Sequence, residues 1–223
     1  MSLEYINCRQ QQYYIFEGRT KTGKPKYYAS KKPVSSGGSP VDSLPIDFEI
    51  HENPQNATVT VRRRRPTRVT AKERNLVERL VLELSECPRV RLDVVGDAIV
   101  VYTPDTDPAR ILPKLSSGLG FLAHHLSESL LDTSHYTAML RFSLQEPATK
   151  RRKSAKSRAT PKSDEAAAPD SELPTQLPRI WQAARYCFRS YIDGWLSVGR
   201  PDELEPLARN FVVHLGRESF YEL

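Results

Sequence analysis

The chain has 223 residues, of which 39% are hydrophobic, with a formal net charge of +6. This length holds one domain or two small ones, and no run approaches the roughly twenty apolar residues that a membrane helix needs. The N-terminus lacks the features of a signal peptide, and three widely spaced cysteines do not predict a disulfide framework, so we expect a cytoplasmic protein without a membrane segment.

Three β-hairpins are predicted in the first half of the chain. Residues 12–32 hold two aromatic strands around the turn at 21–24, where Gly23 can adopt positive φ. Within residues 47–64 the segment ATVTVRR alternates apolar and polar side chains, which indicates a half-buried strand. Residues 89–103 contain VRLDVV and AIVVYT, joined at Gly96-Asp97.

The second hairpin ends in four consecutive arginines, Arg62, Arg63, Arg64 and Arg65. Guanidinium groups bind phosphates through two parallel hydrogen bonds, so this run and the nearby Arg68 are a candidate nucleic-acid contact. The alternative is a solvated strand end whose side chains point to both faces. A basic run alone is a weak motif and favours that alternative.

Three helices are predicted before the low-complexity part of the chain, over residues 71–84, 108–116 and 119–131. The first begins at a capping box of Thr70 and Glu73 and carries an apolar stripe at helical spacing. The second begins at Asp107-Pro108, an N-cap followed by proline. Residues 136–144, YTAMLRFSL, are predicted to form a strand.

Residues 147–178 are predicted to be a disordered charged linker. Its first half contains seven basic residues and no acidic one: Lys150, Arg151, Arg152, Lys153, Lys156, Arg158 and Lys162. Four acidic residues follow between Asp164 and Glu172. Such a composition cannot bury enough apolar surface to offset the entropy of ordering. Its seven basic residues make this half a second candidate nucleic-acid contact. Without them the rest of the chain is close to neutral.

The tail, residues 179–223, is predicted to complete the fold of residues 1–146. It is strand-like around 185–188, and a helix beginning near an acidic capping sequence at 202–205 carries an apolar stripe. A tail of 45 residues can hardly supply an apolar partner for that stripe by itself. We therefore expect an α+β fold, with β-hairpins and about four helices in one integrated domain.

No catalytic, cofactor-binding or metal-binding residue is predicted. His124 and His125 are adjacent and point to different helix faces, which disfavours a shared metal ion. Residues 118–120 lack the rest of a phosphate-binding loop. Cys187 lies among aromatic residues, as a buried apolar side chain would. Residues 214–219, HLGRES, contain His, Glu and Ser without a nucleophile elbow.

A candidate pocket involves Arg189, Asp193 and Trp195, with His214 as a fourth member. Asp193 could be an acid in an aromatic pocket. It could equally form an ion pair with Arg185 or Arg189 that holds the segment in place.

Five stretches carry a resemblance to known sequences: GRTKTGKPKYYASKK, LPIDFEIHENP, YTAMLRFSL, RYCFRSYIDGWL and LEPLARNFVVHLGRESFYEL. Their residues and their order in the chain resemble those of an uncharacterised family of bacterial proteins of about this length. The family has a short connection in place of residues 147–178, so the resemblance implies that the charged linker is an insertion between neighbouring elements. It implies a bacterial origin and one integrated fold, and no activity, cofactor or ligand.

Three hypotheses for the function follow. The first is a non-catalytic binding or scaffold protein with an unnamed protein partner, favoured by the lack of catalytic motifs. The second is a nucleic-acid-associated protein that uses the basic linker as an arm; the near-neutral remainder argues against it. The third is an enzyme of unknown class. A positive surface joining Arg62–Arg65 to the linker ends would favour the second, and a deep pocket with buried carboxylates or His214 the third.

Overall fold

A computed structural model describes residues 2–34, 37–87, 89–108, 120–146, 179–189 and 192–223. Strands and helices are both present, which confirms the α+β class. The described residues contain three α-helices, so the expectation of about four is not matched. Beyond Pro108, the helix predicted at 108–116 lies outside the described residues. The charged linker, 147–178, also lies outside them.

The N-terminal residues form a small antiparallel sheet and a separate hairpin. The sheet consists of β1 (Glu4–Ile6), β2 (Gln12–Arg19), β3 (Pro25–Ser30) and β4 (Ser39–Pro40), in which β2 pairs with the other three. The hairpin pairs β5 (Phe48–Glu52) with β6 (Val59–Arg63). Gly38 lets the loop cross β2 closely, because an added Cβ there would lie 2.6 Å from the Glu17 carbonyl oxygen.

The larger sheet is an antiparallel meander of five strands: β7 (Arg91–Val95), β8 (Ala98–Pro104), β9 (Tyr136–Leu144), β10 (Trp181–Arg189) and β11 (Ile192–Asp202). The spatial order is β11-β10-β9-β8-β7. The linker therefore interrupts the connection between two neighbouring strands, β9 and β10. Strand β10 is longer than the predicted stretch around 185–188, and it is followed directly by a second strand.

The helices are α1 (Ala71–Leu84), α2 (Gly120–Thr133) and α3 (Leu204–Val212), and a 3-10 helix spans Glu218–Glu222. The capping box of α1 is present: the Glu73 amide donates to the Thr70 hydroxyl, and the Glu73 carboxylate accepts from the Thr70 amide at 2.7 Å. Helix α3 begins differently from the prediction. Its N-cap is Glu203, which makes no side-chain capping hydrogen bond.

One hydrophobic core lies between the larger sheet and helices α1 and α3. Leu80 of α1, Leu140 of β9, Trp181 of β10 and Leu207 of α3 are each at most 2% exposed within it. Phe220 of the 3-10 helix is buried in the same core. The residues after the linker thus supply both strands and a helix to the core that the residues before it begin.

The N-terminal part contacts the β7–β9 side of the larger sheet through polar groups. The Arg9 guanidinium donates to the Ser134 carbonyl oxygen at 2.9 Å, and the Tyr136 amide donates to the Gln55 carbonyl oxygen at 3.0 Å. The Arg91 guanidinium of β7 donates to the Pro54 carbonyl oxygen at 2.8 Å. These contacts set the β5–β6 hairpin beside the edge strand β7.

Candidate nucleic-acid interface

The arginine run continues from the end of β6, and its members have different environments. The Arg62 Nε donates to the Glu49 Oε1 at 2.8 Å, an ion pair across the hairpin. The Arg63 guanidinium lies 5.8 Å from the centre of the Phe48 ring, and the Arg64 Nε donates to the Phe48 carbonyl oxygen at 3.4 Å. Residues 63–65 are exposed. Only the first arginine of the run is therefore neutralised by a carboxylate among the described residues.

Phe48 joins the arginine run to the first hairpin. The Tyr27 ring of β3 meets the Phe48 ring edge-on, with 4.8 Å between the ring centres. The segment from Gly18 to Val41 carries six basic side chains and no acidic one. These are Arg19, Lys21, Lys24, Lys26, Lys31 and Lys32, and all six are exposed.

The excess positive charge outside the linker is concentrated in the first 70 residues of the chain. Residues 1–70 contain twelve Lys and Arg against six Asp and Glu, whereas residues 71–146 contain eight against eleven. The net charge of the chain outside the basic half of the linker is indeed close to zero, but this sum hides the difference between residues 1–70 and residues 71–146. A charge count by segment would have found it from the sequence.

Arg68 lies where the arginine run meets the linker ends. Its amide and its Nε donate to the two Asp97 carboxylate oxygens at 2.8 and 2.7 Å. These hydrogen bonds, the backbone one first, hold the pKa of Asp97 below its ordinary value of 3.8. Arg179, the first described residue after the linker, donates to the Arg68 carbonyl oxygen at 2.5 Å and to the Glu73 carboxylate at 2.6 Å.

The other end of the linker is at the same place. The Leu144 amide donates to the Asp97 carbonyl oxygen at 2.9 Å, and the Gln145 amide donates to the Ile180 carbonyl oxygen at 2.8 Å. Both ends of residues 147–178 therefore emerge beside Arg68. Lys150 follows Glu146 by four residues, which an extended chain spans in about 14 Å. The described residues that flank the linker are thus close to Arg68, three residues after the arginine run.

Trp195 and His214 are the two members of the candidate pocket whose side chains the structure describes, and they have separate contacts. Trp195 is half-buried beneath the Arg141 guanidinium, 4.6 Å from its ring centre, and beside Tyr186 at 5.4 Å. His214 shares a hydrogen bond of 2.8 Å with Ser219 instead. The side chains of Arg189 and Asp193 lie outside the described residues.

Sequence reasoning missed a groove of about 310 Å³ between the β5–β6 hairpin, β7 and α1. It is lined by Glu49, His51, Glu52, Arg62, Arg65, Arg74 and Asp93, among others. The His51 Nε2 lies 3.3 Å from the Asp93 Oδ2. Because 42 residues separate this pair in the sequence, no local pattern could have indicated it.

A larger cavity, of about 460 Å³, lies between β8, β9 and the C-terminal turns and is partly lined by Cys87. Burial raises the pKa of the Cys87 thiol to about 11, and the Asp107 and Glu86 carboxylates add to the increase. The thiol is therefore protonated at neutral pH and is a poor nucleophile.

Among the described residues, no group of three or more His, Cys, Asp or Glu side chains could hold a metal ion. None of the described helices is long and apolar enough to cross a membrane.

No family model, curated protein or solved structure matches the chain. The resemblance to a bacterial family therefore stays a prediction.

Proposed function

We propose that the protein binds nucleic acid through a basic surface made of the first hairpin, the arginine run 62–65 and the basic half of the linker. The observation that carries this proposal is the position of the linker ends beside Arg68. It supports the proposal because the basic half of the linker begins only four residues after Glu146 in the sequence. The near-neutral charge outside the linker was an objection to nucleic-acid binding, and the excess of positive charge in residues 1–70 answers it.

Phosphate contacts dominate the binding on this proposal. Lysines and arginines neutralise phosphates and release counterions, so the affinity falls steeply as salt increases. The acidic balance of residues 71–146 repels the polyanion and so orients the encounter. Tyr27 and Phe48, which lie between the first hairpin and the arginine run, offer ring surfaces to unpaired bases. Sequence preference is slight, because phosphate contacts carry no base information.

The test compares two sets of substitutions with a matched control. One variant replaces the seven basic linker residues by Ser, and a second replaces the three exposed arginines 63–65 by Ser. The control variant replaces Arg200, Arg209 and Arg217 by Ser; these three arginines are also exposed and lie elsewhere in the fold. Affinity for labelled duplex DNA and single-stranded RNA is measured by fluorescence anisotropy from 50 to 300 mM salt.

Each of the first two variants should bind more weakly than the wild type, with a shallower salt dependence. Loss of three phosphate contacts makes the slope of log K against log salt on duplex DNA less negative by up to about 2.7. The slope of the control variant should change little. Equal weakening in the control would mean that net charge alone matters. Binding that is unaffected in both test variants would refute the proposed surface.

A non-catalytic binding or scaffold protein with a protein partner is the second candidate. The observation that favours it is an exposed apolar patch: Phe188 is 53% and Tyr221 60% exposed, and both line one cavity with Tyr186 and Cys187. Exposed aromatic side chains are enriched where proteins bind proteins. If the wild type binds no nucleic acid at 50 mM salt, this candidate replaces the first.

Two further features belong to the proposal. We propose that residues 147–178 are a disordered linker inserted in one integrated domain, which their composition supports. We also propose a cytoplasmic location. The three cysteines support it, because all three are free thiols rather than disulfides.

A further inference from the structure

The groove beside the β5–β6 hairpin brings together residues that are suited to acid–base chemistry on a phosphate. Glu49 pairs with Arg62 across the hairpin, and His51 pairs with Thr60. Residues two apart on a strand point to the same face. Glu49, His51 and Arg62 therefore share one face of the hairpin, and all three line the groove.

Two close contacts fix the orientation of these side chains. The Arg62 Nε donates to the Glu49 Oε1 at 2.8 Å, and the His51 Nε2 lies 3.3 Å from the Asp93 Oδ2. The four side chains are between 18% and 33% exposed, so they are partly shielded and still reachable from solvent. The His51 Nδ1 has no hydrogen-bond partner among the described residues, which leaves it free to exchange a proton with a ligand.

The charges in the groove are mixed rather than uniformly positive. Three arginines, 62, 65 and 74, line the groove together with the carboxylates of Glu49, Glu52 and Asp93. Glu52 is engaged elsewhere, because it accepts hydrogen bonds from the Tyr5 hydroxyl at 2.9 Å and the Cys8 amide at 3.1 Å. A simple anion site would not contain these carboxylates. Metal-independent cleavage of a phosphodiester needs this combination: a base, an acid and cations on the phosphate.

We propose that this groove cleaves RNA by transferring the phosphodiester to the neighbouring 2′-hydroxyl. Glu49 removes the proton of that hydroxyl, and the 2′-oxygen forms a bond to phosphorus. The bond from phosphorus to the 5′-oxygen breaks, and the protonated His51 gives its proton to the leaving 5′-oxygen. The products are a 2′,3′-cyclic phosphate and a 5′-hydroxyl, so no water, metal or redox partner is consumed.

The strand geometry suits this division of roles. Side chains two residues apart on one strand start about 6.7 Å from each other, which leaves room for a phosphate between the base and the acid. Arg62 and Arg65 are placed to bind its non-bridging oxygens. DNA lacks the 2′-hydroxyl and is bound without being cut. This inference rests on the proposed nucleic-acid binding and adds a substrate, RNA, and a reaction.

The experiment incubates the full-length protein with an end-labelled single-stranded RNA in the presence of EDTA. DNA of the same sequence and 2′-O-methyl RNA serve as substrates that cannot react. RNA should be cut to fragments ending in a 2′,3′-cyclic phosphate, and the other two should stay intact. Glu49→Gln and His51→Gln should each lower the rate about 10²- to 10⁴-fold, the usual range for one acid or base.

The chain offers matched controls outside the groove. Glu205 pairs with Arg209, and His135 lies 3.3 Å from the Asp105 carboxylate. Glu205→Gln and His135→Gln remove the same functional groups from more exposed ion pairs outside the groove, and the cleavage rate should be unchanged. Thermal denaturation of each variant shows whether it is folded. The cyclic-phosphate end and the inert 2′-O-methyl RNA test the reaction independently of any variant.

Asp93 acts through His51 and is a positioning residue. Asp93→Asn should lower kcat with little change in KM, and Asp93→Glu should restore part of kcat because a carboxylate again meets the ring. A residue that only stabilised the fold would show neither the split nor the rescue.

Two results would overturn the inference: RNA that stays intact with the wild type, or RNA cut equally fast by Glu49→Gln and His51→Gln. Binding to 2′-O-methyl RNA separates this failure from that of the proposed function. Salt-dependent binding without cleavage of RNA refutes the catalytic groove and leaves the binding proposal standing. The absence of both refutes both.

Discussion

Substitution of Leu207, in helix α3, tests whether residues 179–223 are part of the main fold. It is 2% exposed and packs in the core shared by α1, the larger sheet and α3. Replacing a buried Leu by Ala costs the transfer energy of the lost methyl groups plus the energy of the cavity, together about 3 kcal/mol. For a chain of this size, that loss lowers Tm by about 6–12 °C.

The assay is urea denaturation followed by circular dichroism, with Leu82→Ala as the matched control. Leu82 also lies on a helix but is 71% exposed, so its replacement should change the free energy of unfolding by less than about 0.5 kcal/mol. Equal midpoints for Leu207→Ala and Leu82→Ala would refute the reasoning. They would mean that α3 is not held in the core and that residues 179–223 do not complete the fold.

Residues 1–146 expressed alone should aggregate or stay unfolded, because β9 loses its partner β10; a soluble product with cooperative thermal unfolding would contradict this. Replacing residues 148–176 by a short Gly/Ser linker should leave Tm almost unchanged, since the Gln145–Ile180 hydrogen bond already holds the ends together; a large decrease in Tm would show that the segment packs on the fold. Asp97 has a lowered pKa, so its contribution to stability is present above its ordinary pKa of 3.8 and is lost as the pH falls further. Asp97→Asn should therefore flatten the decline of Tm below about pH 4, and parallel curves for variant and wild type would count against the Arg68–Asp97 contact.

Local sequence patterns were sufficient for elements whose signals are themselves local. The capping box of α1 depends on two residues three positions apart, and both of its hydrogen bonds are present. The turn at Gly23, with φ of 79°, needs only a residue that tolerates positive φ. Such patterns predict structure well because the interactions they encode are made between neighbouring residues and do not depend on how the rest of the chain folds.

Strands β10 and β11 were harder to predict because their pattern is interrupted. The register shifts between Trp181 and Ala183, and Gly199 adopts a φ of 66° within β11. A bulge of this kind breaks the alternation of apolar and polar side chains on which strand prediction depends. The arginines and aromatic side chains of this stretch further obscured which face is buried.

The candidate sites depend on contacts between distant segments. The cross-strand pair of Glu49 and Arg62 depends on the register of the β5–β6 hairpin. The sequence predicted the hairpin but not this register. The approach of Asp93 to His51 depends on how the hairpin packs against the edge of the larger sheet. The contact of Arg179 with Arg68 likewise depends on the pairing of β9 with β10. No periodicity within one segment encodes such contacts.

The most direct test of the central claim is the salt dependence of nucleic-acid binding by the unmodified protein. The observed association constant for a labelled duplex DNA is measured from 50 to 300 mM salt. Binding through the basic surface predicts a linear fall of log K with log salt, with a slope of about −0.9 for each phosphate contacted, and therefore steeper than about −3 if the linker and the arginine run both bind. No measurable binding at 50 mM salt, or an affinity that does not change with salt, would contradict it.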